Sequence, residues 1–303
     1  MREQGTPLLL ATLAFACLFG CGNQPAELMR LEQVRTAVLV HPADRDQPVS
    51  WDSFIDRAEA ADVVVLGEMH DDHIGHLVQR AVIEDLLKRS SNVLVAMEML
   101  ERDEQPLIDD YRDGLIDPAT FTKQTESTNW AGQGSWDAWY LPIIDATHAA
   151  GARVVAANAP RRYVSAARKM GWVRLDQLPN DRRALVQWPD PPIEGAYKER
   201  FIALMGDHGT TMDVDMVESW FRAQTTWDAT MAESVAQNHV DGGTTVLLVG
   251  QFHSNLEGGT VQMLRRYMPD ATLLVVCLRP TQDDPPDDPP PADLVVETGE
   301  EAR

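Results

Sequence analysis

Unbroken apolar runs recur along the chain with little polar alternation: Val63–Leu66, Val93–Ala96, Val154–Ala157, Thr245–Val249 and Leu273–Leu278. Runs of this kind, rich in β-branched residues, predict strands covered on both faces, and hence a mostly parallel sheet. Between them the period turns helical. Ile74, Leu77, Val78, Ala81, Val82 and Leu86 fall at i, i+3 and i+4, and Asp71 or Asp72 is placed to cap the start. Pro142–Ala150 predicts a second helix, with Pro142 suited to its first turn and Gly151 to its stop. Ala223–Gln237 predicts a third, carrying Trp227, Met231 and Val235 on one stripe. Arg174–Thr211 is interrupted by Pro and Gly and reads as a helical insertion or lid. The expected fold is α/β: a mostly parallel sheet flanked by helices, with a smaller helical subdomain or lid, over residues 49–280.

Polar chemistry follows the strands. Glu68 and His70 come after the first run, Glu98 after the second, Asn158 with Arg161 and Arg162 after the third, and Gln251 with His253 after the fourth. In a parallel sheet these ends share one edge, where α/β ligand sites form. Glu68, His70, Glu98 and His253 together offer two carboxylates and two imidazoles, suited to general acid–base work or to a divalent metal. Each also has a plainer reading alone, as a helix cap or a hydrogen-bonded core group. His73 and His76 extend the cluster or face solvent; His41, His148, His208 and His239 default to structural or surface roles. Arg161 and Arg162 open a helix and suit a small anionic ligand, or salt bridges to neighbouring acids. Trp136, Trp139 and Tyr140 precede the second helix as core aromatics, a tyrosinate haem ligand being the sharper alternative.

The two ends change the picture again. Pro7–Gly20 is an apolar stretch too short to span a bilayer and of signal-peptide length. It closes on Gly20-Cys21, which resembles a bacterial lipobox, making 1–20 a lipoprotein signal peptide, Cys21 the lipidated residue (palmitate among its acyl chains), and 21–48 a tether. Gly22 after that cysteine is the pattern expected of an outer-membrane lipoprotein, anchored on the periplasmic face. Of the three cysteines, Cys17 is removed with the signal and Cys277 sits in an apolar run, so no disulfide framework or zinc pair arises. Residues 281–303 hold five Pro and eight Asp or Glu and read as a disordered acidic tail. The net charge of -21 over 303 residues, with no basic run, excludes a nucleic-acid partner.

Six ordered blocks then resemble a known family: LGEMHDDHIGHLVQ (Leu66–Gln79), AMEMLERDEQPLIDDY (Ala96–Tyr111), WDAWYLPII (Trp136–Ile144), AANAPRRYV (Ala156–Val164), AQTTWDATMAESVA (Ala223–Ala236) and GQFHSNLEGG (Gly250–Gly259). They are similar to ChaN-like haem-binding lipoproteins of the Tiki and erythromycin-esterase-like superfamily. The resemblance implies haem as cofactor, dimerisation around it, and Tyr140 as axial ligand, with Tyr111, Tyr163, Tyr197 and Tyr267 as alternatives. It also implies a catalytic set in the enzymatic branches, matched here by Glu68, His70, Glu98 and His253. Gln251-Phe252 departs from the family's small pair before the last histidine, and the acidic tail is unlike most relatives.

Two functions follow. In the first, a lipid-anchored haem protein of iron acquisition uses Tyr140 on iron, Arg161 or Arg162 on the propionates, and Met97, Met99 or Phe252 along the cavity. In the second, a metal-dependent or metal-free hydrolase uses His70 or Glu68 as base, with Glu98 and His253 orienting metal, water or substrate.

Overall fold

The computed structural model describes residues 29–44, 47–127, 130–206, 213–280 and 289–299. The signal segment, Cys21, His208 and part of the acidic tail lie outside these residues. Among the described residues no helix is long and apolar enough to cross a membrane.

Seven strands form one sheet in the order β1-β7-β6-β2-β5-β3-β4. They are β1 Leu39–Pro42, β2 Val63–Glu68, β3 Val93–Glu101, β4 Arg153–Asn158, β5 Thr244–Gly250, β6 Leu273–Arg279 and β7 Leu294–Glu297. The pairs β2·β5, β2·β6, β3·β4, β3·β5 and β6·β7 are parallel, and β1·β7 is antiparallel. All five predicted runs are strands, and β2, β4 and β5 are buried along almost their whole length, as the absence of alternation demands.

The helices are α1 Leu31–Ala37, α2 Trp51–Glu59, α3 His73–Arg89, α4 Gln105–Arg112, α5 Pro118–Gln124, α6 Leu141–Ala149, α7 Arg161–Met170, α8 Trp172–Leu175, α9 Asn180–Arg183, α10 Ala196–Gly206, α11 Val214–Asn238, α12 Gln251–Ser254 and α13 Gly259–Tyr267. Asp72 caps α3, its carboxylate accepting from the N–H groups of Ile74 and Gly75. The third predicted helix is part of the longer α11, which buries Met231 and Val235 against the sheet. Leu175 of the short helix α8 and Val186, just after α9, pack against α7 and Ala223 of α11 as a small cluster beside the main core.

Two segments differ from the sequence reading. Residues 21–48, read as a tether, contain α1 and β1, because Val34 and Val40 find burial in the core. The acidic tail contains β7, whose Leu294, Val295 and Val296 carry enough apolar surface to join the sheet despite the flanking charge. Thr298, just beyond, donates to Asp72 Oδ2 at 2.9 Å and ties this strand to the α3 cap.

Side chains of successive strand residues alternate between the two sheet faces. Val64, Leu66, Val95 and Met97 belong to the core under α2, α3 and α6; Val63, Val65, Leu94 and Ala96 belong to the core under α11 and α13. That alternation decides where each polar strand-end residue goes.

Candidate active site

Glu68 continues the Val64, Leu66 face and so enters the side covered by α3 and α6. Its Oε1 accepts from the Tyr140 hydroxyl at 2.7 Å and lies 2.8 Å from His70 Nδ1, while Oε2 accepts from Gln79 Nε2 at 2.6 Å. His76 Nδ1 is 3.6 Å from the same Oε2. Burial alone would raise this carboxyl's pKa. The His70 hydrogen bond, the His76 and His70 charges and the Tyr140 hydroxyl outweigh it, so Glu68 is held below its ordinary range. A carboxylate with both oxygens engaged is a holder of His70 rather than a free base.

Glu98 continues the Leu94, Ala96 face and enters the side covered by α11. Pairing of β3 with β4 breaks between Met97 and Glu101, and this irregularity frees the Glu98 carbonyl to accept from Asn158 Nδ2 at 2.9 Å. Its Oε2 accepts from the Gly250 N–H at 2.6 Å, and its Oε1 stands 3.6 Å from His253 Nε2. His253 Nδ1 is 2.7 Å from Asp228 Oδ1 on α11. Thr260 Oγ1 donates to that same oxygen at 2.8 Å, and the Tyr197 hydroxyl donates to Oδ2 at 2.8 Å. Burial disfavours an imidazolium here, yet the Asp228 and Glu98 carboxylates prevail and lift His253 to about 9. At neutral pH His253 is therefore a cation and a proton donor.

His70 joins the two halves. Its pKa is raised by the Glu68 hydrogen bond against burial, with Glu98 adding to the rise and His253 opposing it. Glycine at 250 leaves room beside it: a Cβ there would stand 3.1 Å from His70 Cε1 and 3.2 Å from Nε2. The His70 side chain is 47% exposed and meets Trp130 edge to face at 6.1 Å between ring centroids. Trp130, Met99, Glu101, Glu104 and Arg161 line an adjoining cleft of about 560 Å³. Arg161 lies 5.2 Å over the Trp130 ring and 3.3 Å from Glu101, with its side chain 70% exposed. Glu104 is pushed up to about 8, chiefly by burial and by the neighbouring Glu101 and Asp103, so the cleft carries less negative charge at neutral pH than its composition indicates.

The other nominated residues separate. Arg162 is paired with Asp103 at 2.6 Å and lies over the Tyr163 ring. Met97 is fully buried in the core, Met99 reaches the cleft, and Phe252 packs against Tyr197 and Phe201 on the other side of the sheet. His76 is buried and stacked on Trp139, whereas His73 Nδ1 accepts from the Trp139 indole. His239 meets Thr245, and His41 and His148 lie away from the centre, near Glu297 and Tyr111 respectively. The expectation of a divalent metal on Glu68, His70, Glu98 and His253 meets a different geometry. Among the described residues no three His, Cys, Asp or Glu form a metal-holding group. The two Nδ1 atoms and three of the four carboxylate oxygens already face protein partners.

Tyr140, nominated for iron, is fully buried and donates to Glu68. Burial and the Glu68 carboxylate push its pKa far upward, the reverse of what a tyrosinate ligand requires. Of the alternatives, the Tyr111 hydroxyl donates to Asp145, Tyr163 and Tyr197 are buried, and Tyr267 belongs to the far end of α13. Sequence reasoning missed Gln79, Asp228, Trp130 and Gln224, whose Nε2 lies 3.2 Å from His253 Nδ1 and donates to the Tyr197 hydroxyl at 3.1 Å. The signal for Asp228 was a lone carboxylate among small residues on the inward stripe of α11; the others carried none.

Residues 54–264 match the family described as haem-binding uptake, Tiki superfamily, ChaN. Among solved structures the chain is similar to one described as cofacial heme binding to ChaN of Campylobacter jejuni, with a TM-score of 0.64 and 19% identity over 86% of this chain and 96% of that one. It also matches a succinoglycan biosynthesis protein (TM-score 0.43, 11% identity, 83% and 74% covered) and a mutant erythromycin esterase in its open conformation (0.42, 12%, 81% and 78%). No curated protein matches.

Proposed function

We propose, from the premise that this chain belongs to the haem-binding uptake (ChaN) family of the Tiki superfamily, that it binds haem in the cell envelope and serves iron acquisition or haem handling. The observation that carries this reading is the match across residues 54–264, nearly the whole folded body. Tyr140 does not fit as the iron ligand while it is buried on Glu68. His70 fits better: Glu68 fixes its Nδ1, and its side chain is half exposed beside Trp130 of the cleft. A carboxylate on one ring nitrogen orients the other and strengthens it as a donor. Arg161, exposed at the cleft, suits a propionate, and Trp130 with Met99 offers apolar surface. Haem supplies the redox-active iron; this chain's residues hold and shield it. The envelope location rests on the signal-like Pro7–Gly20 and lipidation at Cys21.

Hemin titration of the soluble chain starting after Cys21 tests this. A saturable Soret change is expected, kept in Tyr140→Phe and strongly weakened in His70→Ala. No saturable change in the intact chain overturns the haem reading; loss in Tyr140→Phe alone overturns the choice of His70.

The charged His253 favours a second reading, hydrolysis. His253 would donate a proton to a leaving group through Nε2, with Asp228 holding its Nδ1. His70 or Glu98 would take the proton of an attacking water, since Glu68 is fully engaged. Turnover of ester substrates that depends on His253 but is indifferent to hemin would support this assignment.

A further inference from the structure

A second cavity, of about 550 Å³, lies at the C-terminal end of α13 and beside α8 and α9. Its volume falls in the range of about 300–1,000 Å³ usual for small-molecule sites. Three aromatic rings line it: Trp172, Trp188 and Tyr267. Around them stand the planar polar groups of Asp176, Asp190 and Arg183.

The walls are fixed from behind by one stripe of α11. Thr226 Oγ1 accepts from the Trp172 indole N–H at 2.9 Å. Thr230 Oγ1 accepts from the Gln187 N–H at 2.9 Å and donates to the Gln187 carbonyl at 3.2 Å. Glu233 accepts from Gln187 Nε2 at 2.7 Å, and Gln187 Oε1 accepts from the Trp188 N–H at 3.0 Å. Positions 226, 230 and 233 share one helix face, so a single stripe orders both tryptophans before any ligand arrives. Such preorganisation lowers the entropic cost of binding.

Charge narrows the ligand. Arg183 Nε stands 3.8 Å from Asp176, which leaves the Asp190 carboxylate in excess among the lining groups and disfavours an anion. A quaternary ammonium ion would suit an aromatic cage, but the Arg183 guanidinium already lies 3.9 Å from the Trp188 ring centroid and would repel a second cation. What remains is a neutral molecule with apolar faces and a hydroxylated rim. Pyranose rings have that form: their C–H faces stack on indoles, and their hydroxyls pair with carboxylate and guanidinium groups. The Tyr267 hydroxyl, pushed up to about 12 chiefly by burial, stays protonated and able to donate. We infer that this cavity is a binding site for an uncharged pyranose oligomer, with Trp172 and Tyr267 as its stacking surface and Arg183, held over Trp188, on its rim.

The test follows the tryptophan indole N–H resonances of the soluble chain while cellotriose, maltotriose and triacetylchitotriose are titrated separately, with choline as the cationic control. The expected result is saturable movement of the Trp172 and Trp188 signals with at least one sugar. Trp172→Ala should weaken binding about tenfold, the scale of one lost aromatic contact, with hemin binding unchanged. Because Trp172 also packs in the small cluster, Tyr267→Phe and Asp176→Asn serve as milder variants, each expected to weaken binding severalfold. Saturation by choline, silence with all three sugars, or sugar binding unaltered in every folded variant overturns the inference.

Discussion

Asp228→Asn removes one charge from the buried centre; its single oxygen can still serve His253 and Thr260 while its NH2 turns to the Tyr197 hydroxyl, so the charge effect falls on His253. The rise of His253 from 6.5 to about 9 corresponds to roughly 3 kcal/mol, at 1.36 kcal/mol per pH unit. The sign follows from which state binds the proton more tightly. Folding raises this pKa, so the stabilisation is fully present below about 6.5 and is lost as pH climbs through about 9. Across that window the group contributes a fall of about 1.4 kcal/mol per pH unit. His70, also raised in the folded state, adds in the same direction. Asp228 outranks Glu98 among the attractions on His253, so the asparagine variant should lose most of this slope. Urea denaturation at several pH values between 6 and 10 measures it, with the His253 titration followed by NMR. The deficit of Asp228→Asn relative to the parent should be greatest near pH 6 and shrink toward pH 10. Parent stability that is level or rising from pH 6.5 to 9, or an unchanged slope in Asp228→Asn, would refute the reasoning.

Asp72→Ala should cost about 0.5–2 kcal/mol for the lost α3 cap and about 1–3 kcal/mol more for the buried Thr298 hydroxyl left without its acceptor; a melting temperature equal to the parent's would show that β7 is not clamped there. Gly258→Ala would drive a Cβ into the backbone of His253, which cannot yield as a side-chain tip can. A loss of about 1–3 kcal/mol is expected, together with displaced His253 resonances, and unperturbed resonances would contradict the packing. Cys21→Ala should abolish palmitate labelling and move the full chain from the detergent phase to the aqueous phase in Triton X-114 partitioning. Aqueous partitioning of the unaltered chain would remove the anchor.

The central strands were legible because burial on both faces leaves an unmistakable mark, a run such as Val63–Leu66 with no polar position in it. β1 and β7 were not, since each is an edge-region segment of four residues, and Leu294–Val296 sits among acids that dominate any compositional reading. Asp72, Pro142 and Gly151 announced helix boundaries through chemistry local to the chain. The gathering of Glu68, His70, Glu98 and His253 at one edge was equally readable, as it needs only parallel strands. What sequence spacing cannot carry is the facing of each group once there. Tyr140 stood out as the only tyrosine in the aromatic block that resembles the family, yet the fold turns it inward to Glu68.

The centre is best understood as two half-sites built on opposite faces of one sheet. Strand alternation sends Glu68 to the α3 and α6 side, where Gln79, Tyr140 and His76 fix it, and Glu98 to the α11 side, where Asp228 reaches the same histidine that Glu98 faces. Among the described residues no helix hydrogen-bonds to both carboxylates, so communication passes over the strand ends through His70 and the Gly250 backbone. That arrangement explains why position 250 is glycine: any side chain there would crowd the imidazole that spans the gap. It also explains how one fold supports the two proposed functions. Holding His70 by Nδ1 prepares Nε2 equally for iron or for a proton, and the choice rests on what the Trp130 cleft admits.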